Sequence, residues 1–325
     1  MALCNSKPPT HFQIQHSQPI LFLNFLRLIT IFFLILLFPF ANSVSFNFTS
    51  FNPNDQRIFY QGDAIAASGV IMLTFSENKQ GTTIHGSIGR ATYAQAIHLW
   101  DSETGNLTDF NTQFSFNINS VNLSTYGGDG LAFFLSPFNV TIPKNSSGGY
   151  LGLFDGSLAF NHTNNQIVAV EFDTFGNTWD PSPNHVGIDI NSIVSVASVT
   201  WNTSIQNGTT ANAWVNYNST STTLSVYLSY ADNPVFPGNY SLSYVVDLRK
   251  VLPEWVSVGF SAATGASIET HNLVSWTFNS TLGGSNNPTL GPPPSTSTGP
   301  STGTGHKMIP RLVVGLAVII GTLSC

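Results

Sequence analysis

Between residues 44 and 282, apolar and polar positions alternate with a period of two. In Phe110-x-Thr112-x-Phe114-x-Phe116-x-Ile118 every second residue is large or β-branched. That is the pattern of a strand with one buried face. Segments 131–135, 167–172, 186–190, 213–217, 224–228, 242–246, 256–260 and 273–278 repeat it, separated by Gly, Asn, Pro and Ser clusters. No long stretch sustains a helical period, and residues 247–252 suit one short helical turn. Short strands at regular spacing predict one all-β domain, a sandwich or barrel, over 44–282.

The ends of the chain follow other rules. Residues 20–38 are an apolar run, and Ala41-Asn42-Ser43 puts small residues at −3 and −1 of a cleavage point. Residues 1–43 are therefore expected to be a signal peptide. Residues 283–308 are rich in Pro, Ser, Thr and Gly without apolar periodicity, which predicts an extended stalk. Residues 309–325 end in the apolar run Leu312–Leu323, too short for a hydrocarbon layer of about 30 Å. It reads either as the start of a truncated transmembrane segment or as a lipid-anchor signal, with Ser301, Thr302 and Gly303 as the small residues. Both readings imply membrane attachment through the tail. Eleven Asn-x-Ser/Thr triplets lie between Asn47 and Asn279. In an exported chain each is a glycan acceptor on surface backbone. The expected location is the extracellular side of the plasma membrane or the cell wall.

Charge narrows the function. Charged residues make up 8% of the 325 residues, against about 25% in ordinary soluble chains. Asn, Ser and Thr supply a polar but uncharged surface instead. All sixteen acids lie in 44–290 with only six bases, which excludes a nucleic-acid partner. Cysteine occurs only at Cys4 and Cys325, so neither a disulfide scaffold nor a Cys-ligated zinc site is available.

The densest chemistry runs from Val170 to His185. Glu171 and Asp173, at i and i+2 of a strand, point to one face. A core strand does not carry two carboxylates there without compensation. Asn177 and Asp180 follow in a Pro-rich loop, and His185 opens the next strand. Calcium takes several oxygens, and Asp173, Asp180, the Asn177 amide oxygen and a loop carbonyl such as that of Phe175 would provide them. A second ion on Glu171, Asp173, Asp180 and the His185 imidazole suits Mn2+ or a similar transition metal.

This stretch, VEFDTFGNTWDPSPNHVGIDINSI at 170–193, resembles the metal loop of the legume (L-type) lectins. Gly127–Leu135 resembles that family's sugar-binding loop, Gly148–Phe154 its Gly loop, and Trp255–Gly265 its late strand and specificity loop. The opening Phe46-Asn47-Phe48 and closing Ser275-Trp276-Thr277-Phe278 agree. The resemblance implies a concanavalin-like jelly-roll β-sandwich that binds glycans or glycoproteins and is not an enzyme. It implies that the Asp129 carboxylate accepts from two sugar hydroxyls, after a cis Gly128–Asp129 peptide. Asn177 would serve both the calcium and the sugar. Gly149 would offer its backbone N–H, and Ala266 and Ser267 would make further backbone contacts. Phe175 would present its ring to the sugar's C–H side and its carbonyl to the calcium, while Ser195 would orient a metal-bound water. The loop 264–271 lacks an insertion, as in mannose/glucose-binding relatives. The resemblance also admits a homodimer. The order of leader, lectin domain, stalk and apolar start resembles the ectodomain of a plant lectin receptor kinase. No His-Arg-Asp kinase motif follows.

Two rival functions have definite signatures. A glycoside hydrolase needs two carboxyls about 5–5.5 Å apart, one a proton donor. Glu171 and Asp173 would be that pair, leaving Asn177, Asp180 and His185 without a role. A receptor-like ectodomain that binds a protein or a hydrophobic ligand needs no intact metal and sugar positions. On these motifs His85, His98, His162 and His271 are expected to stand apart from the chemistry.

Overall fold

The computed structural model describes residues 24–30, 43–78, 80–120, 127–201, 207–230 and 235–282. Residues 24–30 are helical. The stalk and apolar tail lie outside the described residues, as does most of the leader. No described helix is long and apolar enough to cross a membrane.

Among the described residues, sixteen strands form two antiparallel sheets. They are β1 (Ser45–Phe48), β2 (Ile58–Gly62), β3 (Ile65–Ala67), β4 (Val70–Met72), β5 (Ile88–Tyr93), β6 (Ile97–His98), β7 (Thr108–Ser120), β8 (Gly130–Pro137), β9 (Val168–Asp173), β10 (His185–Ile190), β11 (Ala197–Thr200), β12 (Asn207–Asn218), β13 (Thr223–Ser229), β14 (Leu242–Val245), β15 (Trp255–Ala263) and β16 (Glu269–Leu282). The back sheet runs β14-β13-β12-β7-β16-β4-β3, with β1 beside β16. The front sheet runs β11-β10-β9-β8-β15-β5-β2, with β6 beside β15. The expected helical turn is a 3-10 turn, Leu248–Lys250, capped where Asp247 accepts from the Arg249 N–H.

Alternation dictates the packing. In β7, Phe110, Thr112, Phe114, Phe116 and Ile118 face inward and are buried. Phe114 meets Phe260 of β15 at 4.8 Å between ring centroids, and Phe260 meets Trp276 of β16 at 5.0 Å. These edge-to-face contacts join the two sheets through large apolar areas. The Trp276 Nε1–H donates to Thr112 Oγ1 at 2.9 Å, so the buried indole N–H has a partner.

The central strands of the front sheet, β5, β8, β9, β10 and β15, are buried on both faces. Ala132, Phe134 and Ala169 on its outer face pack under Leu151, Leu153, Phe154, Ala159 and Ile193 from the covering loops. Arg90 of β5 also lies on that face, donating to the Gly152 carbonyl at 2.6 Å with its guanidinium over the Phe134 ring. Strand pairing continues this face to the chemistry: Gly130 is opposite Asp173 and Ala132 opposite Glu171.

Candidate carbohydrate and metal site

Glu171 and Asp173 occupy the outer face of β9 and are both buried. Antiparallel pairing puts His185 opposite Asp173 and Gly187 opposite Glu171. One strand-loop-strand thus brings both carboxylates and the imidazole together. His185 Nε2 lies 2.8 Å from Glu171 Oε1. Ser195 donates to the same Glu171 oxygen and lies 3.0 Å from Asp189 Oδ1. Gly187 leaves room for that contact, since a Cβ there would fall on Ser195 Oγ.

The loop between β9 and β10 completes the group. The Phe175 N–H donates to Asp173 Oδ1 at 2.8 Å, and the Asn177 N–H to Asp180 Oδ2 at 2.5 Å. The Asn177 amide oxygen is buried without a hydrogen bond. The amide sits against Gly149, in the 3-10 turn Gly148–Tyr150, so closely that a Cβ at Gly149 would fall inside it.

Asp129 precedes β8, and the Gly128–Asp129 peptide is cis. Its N–H donates to the Ala263 carbonyl at 3.1 Å, and its own carbonyl accepts from the Thr174 N–H at 2.9 Å. The carboxylate is 4% exposed, and Oδ2 makes no hydrogen bond. The loop from β15 to β16 lies alongside: Gly265 packs on that carboxylate, Ala266 is exposed and Ser267 half-buried. Phe175 is half-buried, with its ring against Gly128. The fold therefore gathers residues from four separate stretches around Asp129 and Asn177.

Crowding of buried acids sets the electrostatics. Burial and the charges of Glu269 and Asp180 push the Asp129 carboxyl up to about 7, against the Gly265 N–H. Asp173 is raised well above the carboxylate range by burial, Glu171 and Asp180. Burial also raises Asp180, with the Asn177 N–H opposing. For His185 burial disfavours the charged ring, but the Glu171 carboxylate prevails and the net shift is upward.

Three participants escape a reading of the motif. Asp189 of β10 is fully buried beside Ser195, and burial and Glu171 hold it well above its usual range. Two residues along from Gly187, it shares the face of His185, which strand parity alone would have shown. Glu269 and His271, at the edge of the specificity loop in sequence, are instead buried in β16 and paired at 2.9 Å. His98 pairs with Glu254 at 3.0 Å and stacks on Trp255, beside Asp101 and away from this cluster in the strand order.

Comparison with known proteins gives the class. The legume lectin domain model matches residues 43–292. Lectin 9 of Medicago truncatula is 47% identical over 251 residues, covering 74% of this chain and 88% of that one. The mannose/glucose-specific lectin of Centrolobium tomentosum is 44% identical over 247 residues, covering 74% and 97%. Winged bean acidic lectin, solved with methyl-α-D-galactose, matches with a TM-score of 0.66 at 40% identity, covering 74% of this chain and 99% of that one. The chain belongs to the legume lectin family of carbohydrate-binding proteins, which are not enzymes. The hydrolase reading of Glu171 and Asp173 is thereby set aside.

Proposed function

We propose that this domain is a metal-dependent lectin preferring mannose/glucose-type glycans, with Asp129 at the centre of its sugar site. The observation that carries this reading is a buried carboxylate oxygen of Asp129 without a hydrogen bond, beside Gly148 and Gly265, with the Asn177 amide against the adjoining Gly149. A carboxylate is acceptor only, so it suits a pair of sugar hydroxyls. The Asn177 NH2 and Gly149 N–H would add donors, and the half-buried Phe175 ring an apolar wall.

The donor set fits two divalent cations, as legume lectins generally bind. Raised carboxyls at Asp173 and Asp180, and an amide oxygen at Asn177 with no hydrogen bond, are what a metal-free oxygen site looks like. Asp173, Asp180, Asn177 and the Phe175 carbonyl would hold Ca2+. Glu171, Asp173, Asp180 and His185 would hold Mn2+ or a similar ion. Bound cations would supply the positive charge that this cluster lacks. The chain's part is to keep Asn177 turned toward Gly149 and Asp129 Oδ2 free of a protein partner.

Preference for mannose or glucose rests on the short 264–268 connection between β15 and β16. The named relatives include a mannose/glucose-specific lectin and a galactose complex. The same reading has the leader removed after Ser43 and the domain displayed outside the cell. A glycan array run with metal-loaded and EDTA-treated protein tests it. Mannose/glucose glycans should bind only in the loaded state. Stronger competition by galactose than by mannose would overturn the preference. Binding unaffected by EDTA would overturn the metal dependence. No bound glycan at all would favour the receptor-like alternative.

A further inference from the structure

Glu269 is fully buried at the start of β16, in the back sheet, yet its carboxylate reaches the loops of the front sheet. Its Oε1 accepts from the Thr174 hydroxyl and lies 2.9 Å from His271 Nε2. His271 is also fully buried, and its Nδ1 is 2.8 Å from Thr74 Oγ1, which donates to the Glu269 carbonyl at 3.2 Å. The second oxygen, Oε2, makes no hydrogen bond and lies against Gly127, where a Cβ would collide with it.

Thr174 is the link. Its hydroxyl is held by Glu269 while its backbone N–H donates to the Asp129 carbonyl at 2.9 Å. It stands directly between Asp173 and Phe175. The remaining side of the same loop, Gly127, is bounded by Oε2. A buried acid is costly unless its surroundings hold it, and here His271 and Thr174 do so, with Thr74 meeting the other nitrogen of His271. That network reaches the Asp129 backbone from both flanks.

We propose that Glu269, anchored by His271, is a positioning residue of the sugar site, fixing Asp129 through Thr174 and Gly127. The inference rests on the assignment of Asp129 as the sugar-binding carboxylate. It does not require Glu269 to touch a sugar or an ion.

The test is isothermal titration of the metal-loaded domain with methyl α-mannoside and methyl α-galactoside. Melting temperature and bound Ca2+ and Mn2+ are measured alongside. If the wild type and all variants bind neither glycoside, the sugar assignment has failed, and this inference with it. If the wild type binds one, that glycoside is the probe. Glu269→Ala and Thr174→Val should each weaken it about tenfold, as loss of one charge-assisted hydrogen bond allows. The double variant should be no weaker than the worse single one, because both break one link. Glu269→Gln keeps an acceptor for Thr174 and should stay within about threefold of wild type. All variants should bind the ions in wild-type number. Additive losses in the double variant would overturn the proposal. So would Gln as damaging as Ala, affinity unchanged in both single variants, or lost ions tracking lost affinity. Thr174→Val preserves shape and keeps the test available if Glu269→Ala does not fold.

Discussion

At the scale of single residues the proposed site depends on atoms that the protein leaves without a hydrogen bond, Asp129 Oδ2 and Asn177 Oδ1. Asp129→Asn should abolish sugar binding with the fold retained, since the amide turns one acceptor toward a hydroxyl into a donor. The loss should be on the order of 2–4 kcal/mol. Calorimetry with the best glycan, beside an unchanged melting curve, checks this, and wild-type affinity would place the site elsewhere. Gly149→Ala probes the same proposed site through Asn177. A Cβ there enters the space of the Asn177 amide, so the amide must turn away. Calcium affinity and sugar affinity should fall together, each by at least about tenfold. A variant that kept both would show that the Gly149–Asn177 approach is not needed.

At the scale of elements, the proposed mannose/glucose preference places specificity in the β15–β16 connection. Residues 264–268 are fixed at their base: the Thr264 N–H donates to the Ser87 carbonyl and the Gly148 N–H to the Thr264 carbonyl. Adding two or three residues after Ala266 should therefore move the far end of the loop and change or abolish the mannose preference, leaving the strands intact. Ser267→Ala, which leaves the backbone in place, should change little. Competition by free mannose and galactose measures both. The same elements show what the sequence made legible. β7, with one face in the core and one in solvent, alternates cleanly. The clustering of Glu171, Asp173, Asp180 and His185 was legible because 171–185 is one continuous strand-loop-strand. β5 was not: both its faces are buried, so Ile88–Tyr93 shows no alternation, and the charge of Arg90 points to a surface. Its partner, Gly152, is brought to it only by the folded covering loop. The role of Glu269 was hidden for the same reason, since Thr174 and Gly127 reach it from loops beside β9 and β8.

At the scale of the whole molecule, buried acids tie stability to protons and to cations. The surface acids Asp55, Asp101, Asp155, Asp247 and Glu254 are held low, chiefly by hydrogen bonds from Arg57, Thr104, Ser157, Arg249 and His98, so they titrate in acid. The cluster behaves oppositely. Asp129, raised to about 7, and Asp173, Asp180 and Asp189, also raised, keep protons in the folded state that the unfolded chain has already released. The folded state thus binds more protons above about pH 4, and stability falls as pH rises through this window. Each fully shifted group contributes up to about 1.4 kcal/mol per pH unit. His185, also raised, has the same sign: its contribution is present below its unfolded value and lost as pH rises through the folded one. The EDTA-treated protein should therefore melt higher at pH 5 than at pH 8. Cations take the ionised ligands, so their affinity grows with pH. At about a hundred times its dissociation constant each ion should add about 2.7 kcal/mol. Ca2+ and Mn2+ together should raise the melting temperature strongly at pH 8 and weakly at pH 5, flattening or reversing the metal-free slope. Melting curves at the two pH values, with and without the ions, decide the matter. A metal-free protein more stable at pH 8 would mean that these carboxyls are not held up by burial, and a protein indifferent to the ions at that pH would mean that this cluster is not a metal site.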